Sequence, residues 1–251
     1  FPTRRSSDLV MVEGSRLPQG RCLIKLSGEA LGGASGSGVD GSAFEFIALE
    51  LIKALNVGNA FAVVVGGGNF FRGAGSLPWT GQRVVADQAG MLGTAMNGLL
   101  LRDCLVAHGV GASVSCAFGI DGVLPTFSAE RSKRDLADGK IVILSGGTGN
   151  PFFTTDTTAC LRALELDAET VIKATRVDGV YDRDPERYSD AVRYDRLSFD
   201  QAISEDLKIV DITALALCRE HNLRLRVLDL AIEDNLSQAM TDLTIGTLVE
   251  N

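Results

Sequence analysis

Ser145-Gly-Gly-Thr-Gly-Asn-Pro-Phe-Phe-Thr-Thr-Asp156 follows the β-branched run Lys140-Ile-Val-Ile-Leu144 and precedes an amphipathic helical pattern that starts near Asp156. Strand, glycine-rich turn and helix in that order form the repeating unit of a parallel α/β sheet. Small residues let the backbone approach a bound group, and main-chain N–H groups at such a turn favour anions. The stretch supplies hydroxyls and one amide with almost no charge, which suits reading a small anion by hydrogen bonds. Standing alone, an ordinary glycine-rich connection would look the same.

It does not stand alone. Strands are predicted at Cys22–Leu26, Phe61–Val65, Ala112–Ala117, Lys140–Leu144, Thr170–Ala174, Leu225–Leu230 and Thr247–Val249. Between them, helical patterns cover Gly41–Asn56, Arg83–His108, Ser128–Asp138, Thr157–Asp167, Phe199–Ser204, Ile209–His221 and Asn235–Thr241. This alternation predicts βαβ units and a largely parallel sheet. The polar segment Asp182–Leu197, with Pro185, reads as an excursion with turns. Glycine-rich turns follow strands at Ser27–Gly28, Gly66–Asn69, Gly146–Gly149 and Asp178–Gly179. Ligands of open α/β sheets bind beyond the carboxyl ends of the strands, so these turns are expected to converge on one elongated site.

The 251 residues suffice for one α/β domain or two small lobes, and 28 glycines with a single Trp fit a soluble enzyme rich in tight turns. A net charge of −8 argues against a broad nucleic-acid surface. No apolar run reaches the roughly 18–20 residues of a membrane span. The scattered Cys22, Cys104, Cys116, Cys160 and Cys218 form no C-x-x-C pair, which fits reduced thiols of the cytoplasm rather than a disulfide framework or zinc site. His108 and His221 lie far from the glycine-rich turns and read as helix-end residues, so no histidine triad or metal centre is expected. The start, Phe1-Pro-Thr-Arg-Arg-Ser-Ser-Asp-Leu9, has no signal-peptide pattern. Residues 1–20 read as a disordered or foreign extension outside the fold.

The chain has no G-x-x-x-x-G-K-[ST] phosphate loop. Its literal G-x-G-x-x-G, Gly36–Gly41, begins about ten residues after a strand rather than at its end, so a flexible loop is the better account. Lys25, inside an apolar strand just before a tight turn, is either an edge residue reaching solvent or a cation held over phosphates. Lys173 repeats the pattern at the end of another strand. Arg72, after three successive glycines, can bond phosphate or lie on the surface. On pattern alone Asp87 is a solvated helix residue. Tyr181 can pack on a planar base or at a lobe edge.

Taken together, these motifs resemble the amino-acid kinase superfamily, and within it the bacterial uridylate (UMP) kinase branch. The resemblance is carried by Lys25–Leu31, by Gly66–Asn69 with Phe71–Gly73, by Gly90–Leu92 with Met96–Asn97, by Gly147–Asp156, and by Lys173–Thr175 with Val177–Tyr181. It runs from about Arg21 to the C-terminus, and Gly149-Asn-Pro-Phe-Phe153 is specific to the branch. The resemblance implies a three-layer α/β/α sandwich with a largely parallel central sheet. It also implies an acceptor lobe over about 21–165 and an ATP lobe over about 166–251.

By the same resemblance, Lys25, Leu26, Ser27, Gly28, Gly68, Arg72, Thr175, Tyr181 and Asp184 would bind ATP. Gly67, Asp87, Thr148, Gly149, Asn150, Pro151, Phe152, Phe153, Thr154 and Thr155 would bind UMP, against the bland reading of Asp87. Lys25, Arg72, Asp156 and Lys173 would be catalytic, with Asp156 orienting the lysines or the metal. Asp211 matches a further acidic position near the site. The loop Gly33, Ala34, Ser35, Gly36, Ser37 and Gly38 would be associated with GTP activation.

The implied reaction transfers the γ-phosphoryl group of ATP, with Mg2+, to UMP in pyrimidine nucleotide biosynthesis. A cytoplasmic homohexamer activated by GTP and inhibited by UTP would carry it out, with no part for nucleic acid or membrane. Departures are modest. Gly147 stands where Ala is common, Arg176 where Lys is common, and Ser113–Thr126 diverges. The alternatives are a kinase of the acetylglutamate or carbamate type, or a non-catalytic nucleotide- or oxyanion-binding protein on the same fold.

Overall fold

The computed structural model describes residues 20–58, 60–71, 82–185 and 187–251. The expectations for residues 1–19 and for Arg72 therefore lie outside the described residues.

β1 (Cys22–Leu26) leads through the short α1 (Gly28–Leu31) and a 3-10 turn at Gly33–Ser35 into α2 (Gly41–Asn56). Next come β2 (Phe61–Val65), α3 (Arg83–Ala107), β3 (Ala112–Cys116), α4 (Ala129–Ala137), β4 (Ile141–Ser145) and α5 (Thr155–Glu165). The second half runs β5 (Thr170–Thr175), β6 (Val180–Tyr181), β7 (Arg193–Tyr194), β8 (Arg196–Ser198), α6 (Phe199–Ser204) and α7 (Ile212–Glu220). It closes with β9 (Arg224–Asp229), α8 (Asn235–Ala239) and β10 (Thr247–Glu250). Among the described residues one sheet has the order β3-β4-β2-β1-β5-β9-β10-β8, and only the β9–β10 pair is antiparallel. β6 and β7 make a separate antiparallel hairpin.

Strand parity sorts side chains between two cores, because successive residues of a strand face opposite ways. On β1, Cys22, Ile24 and Leu26 pack in the layer of α2, α3 and α8, while Leu23 packs toward α4 to α7. Lys25 shares the Leu23 face. On β5, Val171 and Lys173 repeat the arrangement, and the parallel register sets Lys25 beside Lys173. Two lysines thus stand side by side at the carboxyl end of the sheet, on the face covered by α5.

The expected strands and helices all form, most with shifted ends. α5 begins at Thr155 rather than Thr157 because Thr154 caps it, its Oγ1 accepting from the N–H groups of Asp156 and Thr157 at 3.1 and 3.2 Å. α7 begins at Ile212 rather than Ile209 because Asp211 caps it, accepting from the Ala214 N–H at 3.1 Å. The polar excursion before Leu197 hides the β6–β7 hairpin and the edge strand β8, which are too short for periodicity to reveal. His108 and His221 do cap the carboxyl ends of α3 and α7. The supposed free loop at Gly36–Gly41 is tied down: Gly38 N–H donates to Asn69 O at 2.8 Å, and Gly41 already belongs to α2.

Candidate active site

Asp156, in the first turn of α5, bridges the two lysines. Lys25 Nζ lies 2.9 Å from its Oδ1 and Lys173 Nζ 2.9 Å from its Oδ2. Lys173 Nζ also donates to Ile209 O at 2.5 Å. All three side chains are largely buried, at 12 to 20% exposure. Burial by itself would push the Asp156 carboxyl up, but the ammonium groups outweigh it and hold the carboxyl below its ordinary range. The result is a fixed pair of cations spaced by one carboxylate.

A cavity of about 250 Å³ reaches Thr154 and Thr155, next to Asp156 in the chain, and is walled also by Gly67, Gly68, Phe71, Asp87, Gly90, Thr94 and the run from Gly147 without Gly149, Pro151 and Phe152. Its entrance is shaped by the Ser145–Asp156 turn. Gly146 sits at φ +79°, and any side-chain carbon there would stand 2.6 Å from Cys116 Sγ, so only glycine fits. Phe152 holds φ +74°, a costly conformation for a bulky residue, and its N–H donates to Asp87 Oδ2 at 2.7 Å. Asp87 also accepts from Arg83 Nε at 2.8 Å. It is therefore no solvated helix residue but the anchor of this turn.

A second cavity, about 410 Å³, is walled by Lys173 itself with Thr175, Val177, Gly179, Tyr181, Asp184, Leu207 and Ile209 among others. Tyr181 donates its hydroxyl to Asp178 Oδ1 at 2.7 Å, which fixes the ring at the wall. The β1 turn approaches the β2 turn closely. A side-chain carbon at Gly28 would meet the Gly68 nitrogen at 2.4 Å. Ser27 caps α1, accepting from the Glu29 N–H at 3.3 Å.

The predicted turns do converge, but not every predicted residue reaches a cavity wall. Leu26 is fully buried in the core, and its carbonyl accepts from Gly66 N–H at 2.8 Å. Its side chain lies in the core and walls neither cavity. Gly33, Ala34, Ser35, Gly36, Ser37 and Gly38 wall neither cavity; Arg176 holds the loop through Gly33 O at 3.1 Å.

Asp211 does more than its sequence position revealed. It accepts from Thr157 Oγ1 at 2.8 and 2.9 Å and from Thr154 Oγ1, so it staples α7 to the first turn of α5. An Asp before Ile-Thr-Ala signals a helix cap; nothing local signals the staple. Among the described residues no cluster of three or more His, Cys, Asp or Glu is arranged to hold a metal ion, and no helix is long and apolar enough to cross a membrane.

Comparison with known proteins places these features. The model of the amino acid kinase family matches residues 20–229. Uridylate kinase of Alcanivorax borkumensis is 45% identical over 230 residues, covering 92% of this chain and 91% of that protein. Uridylate kinase of Acinetobacter baumannii is 44% identical over 228 residues, 90% and 92% of the two chains. Among solved structures, UMP kinase of Bacillus anthracis superposes with a TM-score of 0.88 at 33% identity, over 92% of this chain and 96% of that one. UMP kinase of Ureaplasma parvum gives 0.85 at 31% identity, over 94% and 100%.

Proposed function

The chain belongs to the amino acid kinase family, and from that premise we propose that it transfers the γ-phosphoryl group of ATP to UMP, giving ADP and UDP. The observation that carries this reading is the Lys25–Asp156–Lys173 bridge, which adjoins one cavity through Thr154 and Thr155 and another through Lys173. Thr154 and Thr155, beside Asp156, wall the smaller cavity, which takes the acceptor, and Lys173 walls the larger, which takes ATP. The acceptor oxygen of UMP is anionic at neutral pH, so no general base is needed. Catalysis then rests on holding two polyanions in line and neutralising charge on the transferred group. A division into an acceptor lobe and an ATP lobe is supported by two cavities whose walls draw on 67–155 and 173–227, while β1 and β5 join both halves in one sheet.

Mg2+ fits this site as a passenger of the nucleotide. Both Asp156 oxygens face lysines, so Mg2+ would be held chiefly through the nucleotide phosphates and water. When bound it neutralises charge on the ATP phosphates. Lys25 and Lys173 supply the chain's own positive charge at the same place.

Purified protein given ATP and UMP is expected to yield UDP, measured by chromatography against CMP, acetylglutamate and carbamate as acceptors. UDP formation absent from that panel sinks the reading. Asp87→Ala is expected to weaken UMP binding by about 1.5–3 kcal/mol, the scale of a lost charged acceptor, and to spare ATP. Equal losses for both ligands by calorimetry would contradict its place on the acceptor side.

The same reading makes the protein a cytoplasmic enzyme of pyrimidine biosynthesis, a homo-oligomer, probed first as a hexamer, with GTP raising and UTP lowering its activity. Self-association is supported by an exposed apolar stripe on α3, Val85, Leu92, Met96 and Leu100, at helical spacing. Light scattering that finds a monomer at micromolar concentration refutes the assembly, and flat rates across GTP and UTP titrations refute the regulation.

A further inference from the structure

We infer that Asn97 is a positioning residue for phosphoryl transfer: from inside α3 it sets the direction of the backbone N–H that the Gly66–Gly68 turn presents to the acceptor cavity. The inference rests on the kinase reading above. Asn97 is fully buried and walls no cavity. Its amide donates to Gly66 O at 2.7 Å and to Asn69 Oδ1 at 2.7 Å. Asn69, 4% exposed, returns a bond to Asn97 Oδ1 at 3.0 Å and donates its other proton to Gly38 O at 2.7 Å. Both donors of each amide are thus engaged in one closed set.

Asparagine is a poor choice for the interior of a helix, and burying an amide is costly unless it is fully bonded. An apolar residue would fill the space without that cost, so the amide is there for geometry. The geometry is specific. Gly66 C=O and Gly67 N–H belong to one planar trans peptide, so a donor that holds the carbonyl also fixes where the N–H points. Gly66 N–H, on the preceding peptide, is held by Leu26 O at 2.8 Å. Gly66 is therefore clamped from β1 on one side and α3 on the other, and Gly67 and Gly68, the next residues, wall the acceptor cavity. Thr94, one helical turn earlier, does the same for the neighbouring turn, accepting from Gly146 N–H at 2.6 Å.

The test compares Asn97→Leu, of the same branching but bulkier and with no donor, and Asn97→Asp, with at most one donor, against the parent in the ATP and UMP assay. Turnover is normalised to the folded fraction found by thermal melting. A displaced turn is expected to cost about 10²-fold in kcat, with KM for ATP held within about threefold. Adding Asn69→Leu should cost little more, because both amides serve one network. A purely structural residue would lower the melting temperature and leave turnover per folded molecule intact. Should Asn97→Leu fail to fold, Asn97→Asp carries the same expectation. Turnover within about threefold of the parent in the folded variants overturns the inference and leaves the kinase reading standing. A parent that makes no UDP overturns both.

Discussion

Lys25→Ala is expected to lower kcat by roughly 10²- to 10³-fold while the protein stays folded, the scale of one preorganised charge donor lost. The ammonium is fixed before any substrate arrives: it is 12% exposed, sits on β1 beside Lys173, and is held 2.9 Å from Asp156. No reorganisation is then required as charge develops on the transferred phosphoryl group. Folding should survive because Asp156 keeps its second partner, Lys173, at 2.9 Å. The measurement is steady-state turnover with both substrates saturating, alongside a thermal melt. Turnover within about threefold of the parent would remove Lys25 from the machinery.

Asp156→Ala is expected to destabilise the fold by about 3–5 kcal/mol, because it strands two neighbouring buried ammonium groups without a counter-charge. In a chain of 251 residues that corresponds to a fall of roughly 10 °C in melting temperature. Urea unfolding of parent and variant checks it, and a difference under about 1 kcal/mol would mean that the lysines find other partners or lose their protons. The pH dependence has a definite sign. The folded carboxyl titrates below its unfolded value of about 3.9, so its stabilisation is complete above that pH and is lost as the pH falls through the lower folded value. The gap between parent and variant should stay level between about pH 6 and 8 and close only in acid.

Asp87 shows how a local pattern misleads. Placed among Ala86, Gln88 and Ala89 it reads as solvent-facing, yet it is 14% exposed and anchors Phe152. Its partner lies in a turn far along the chain, and helical periodicity carries no information about that turn. For Leu26 the resemblance implied a place at ATP; parity sends alternate residues of β1 to opposite faces, and its side chain falls on the side of α2, α3 and α8, away from Lys25. Asn97 has no sequence signature as a buried amide; only the carbonyl it reaches gives it a role.

The sequence by itself determined the order of the longer strands and helices, the glycine-rich turns at strand ends, and the family, since these follow from residue type and from spacing within short windows. It also determined the two lysine-bearing strands, because a charged residue in an apolar run stands out locally. Tertiary structure alone decided that Lys25 and Lys173 are register partners and that one carboxylate spaces them. It alone decided that Asp211 staples two helices and that the interior stripe of α3 fastens the turns. The physical reason is that strand parity is written in each strand, whereas the choice of neighbouring strand and its register are settled by packing both faces of the sheet at once.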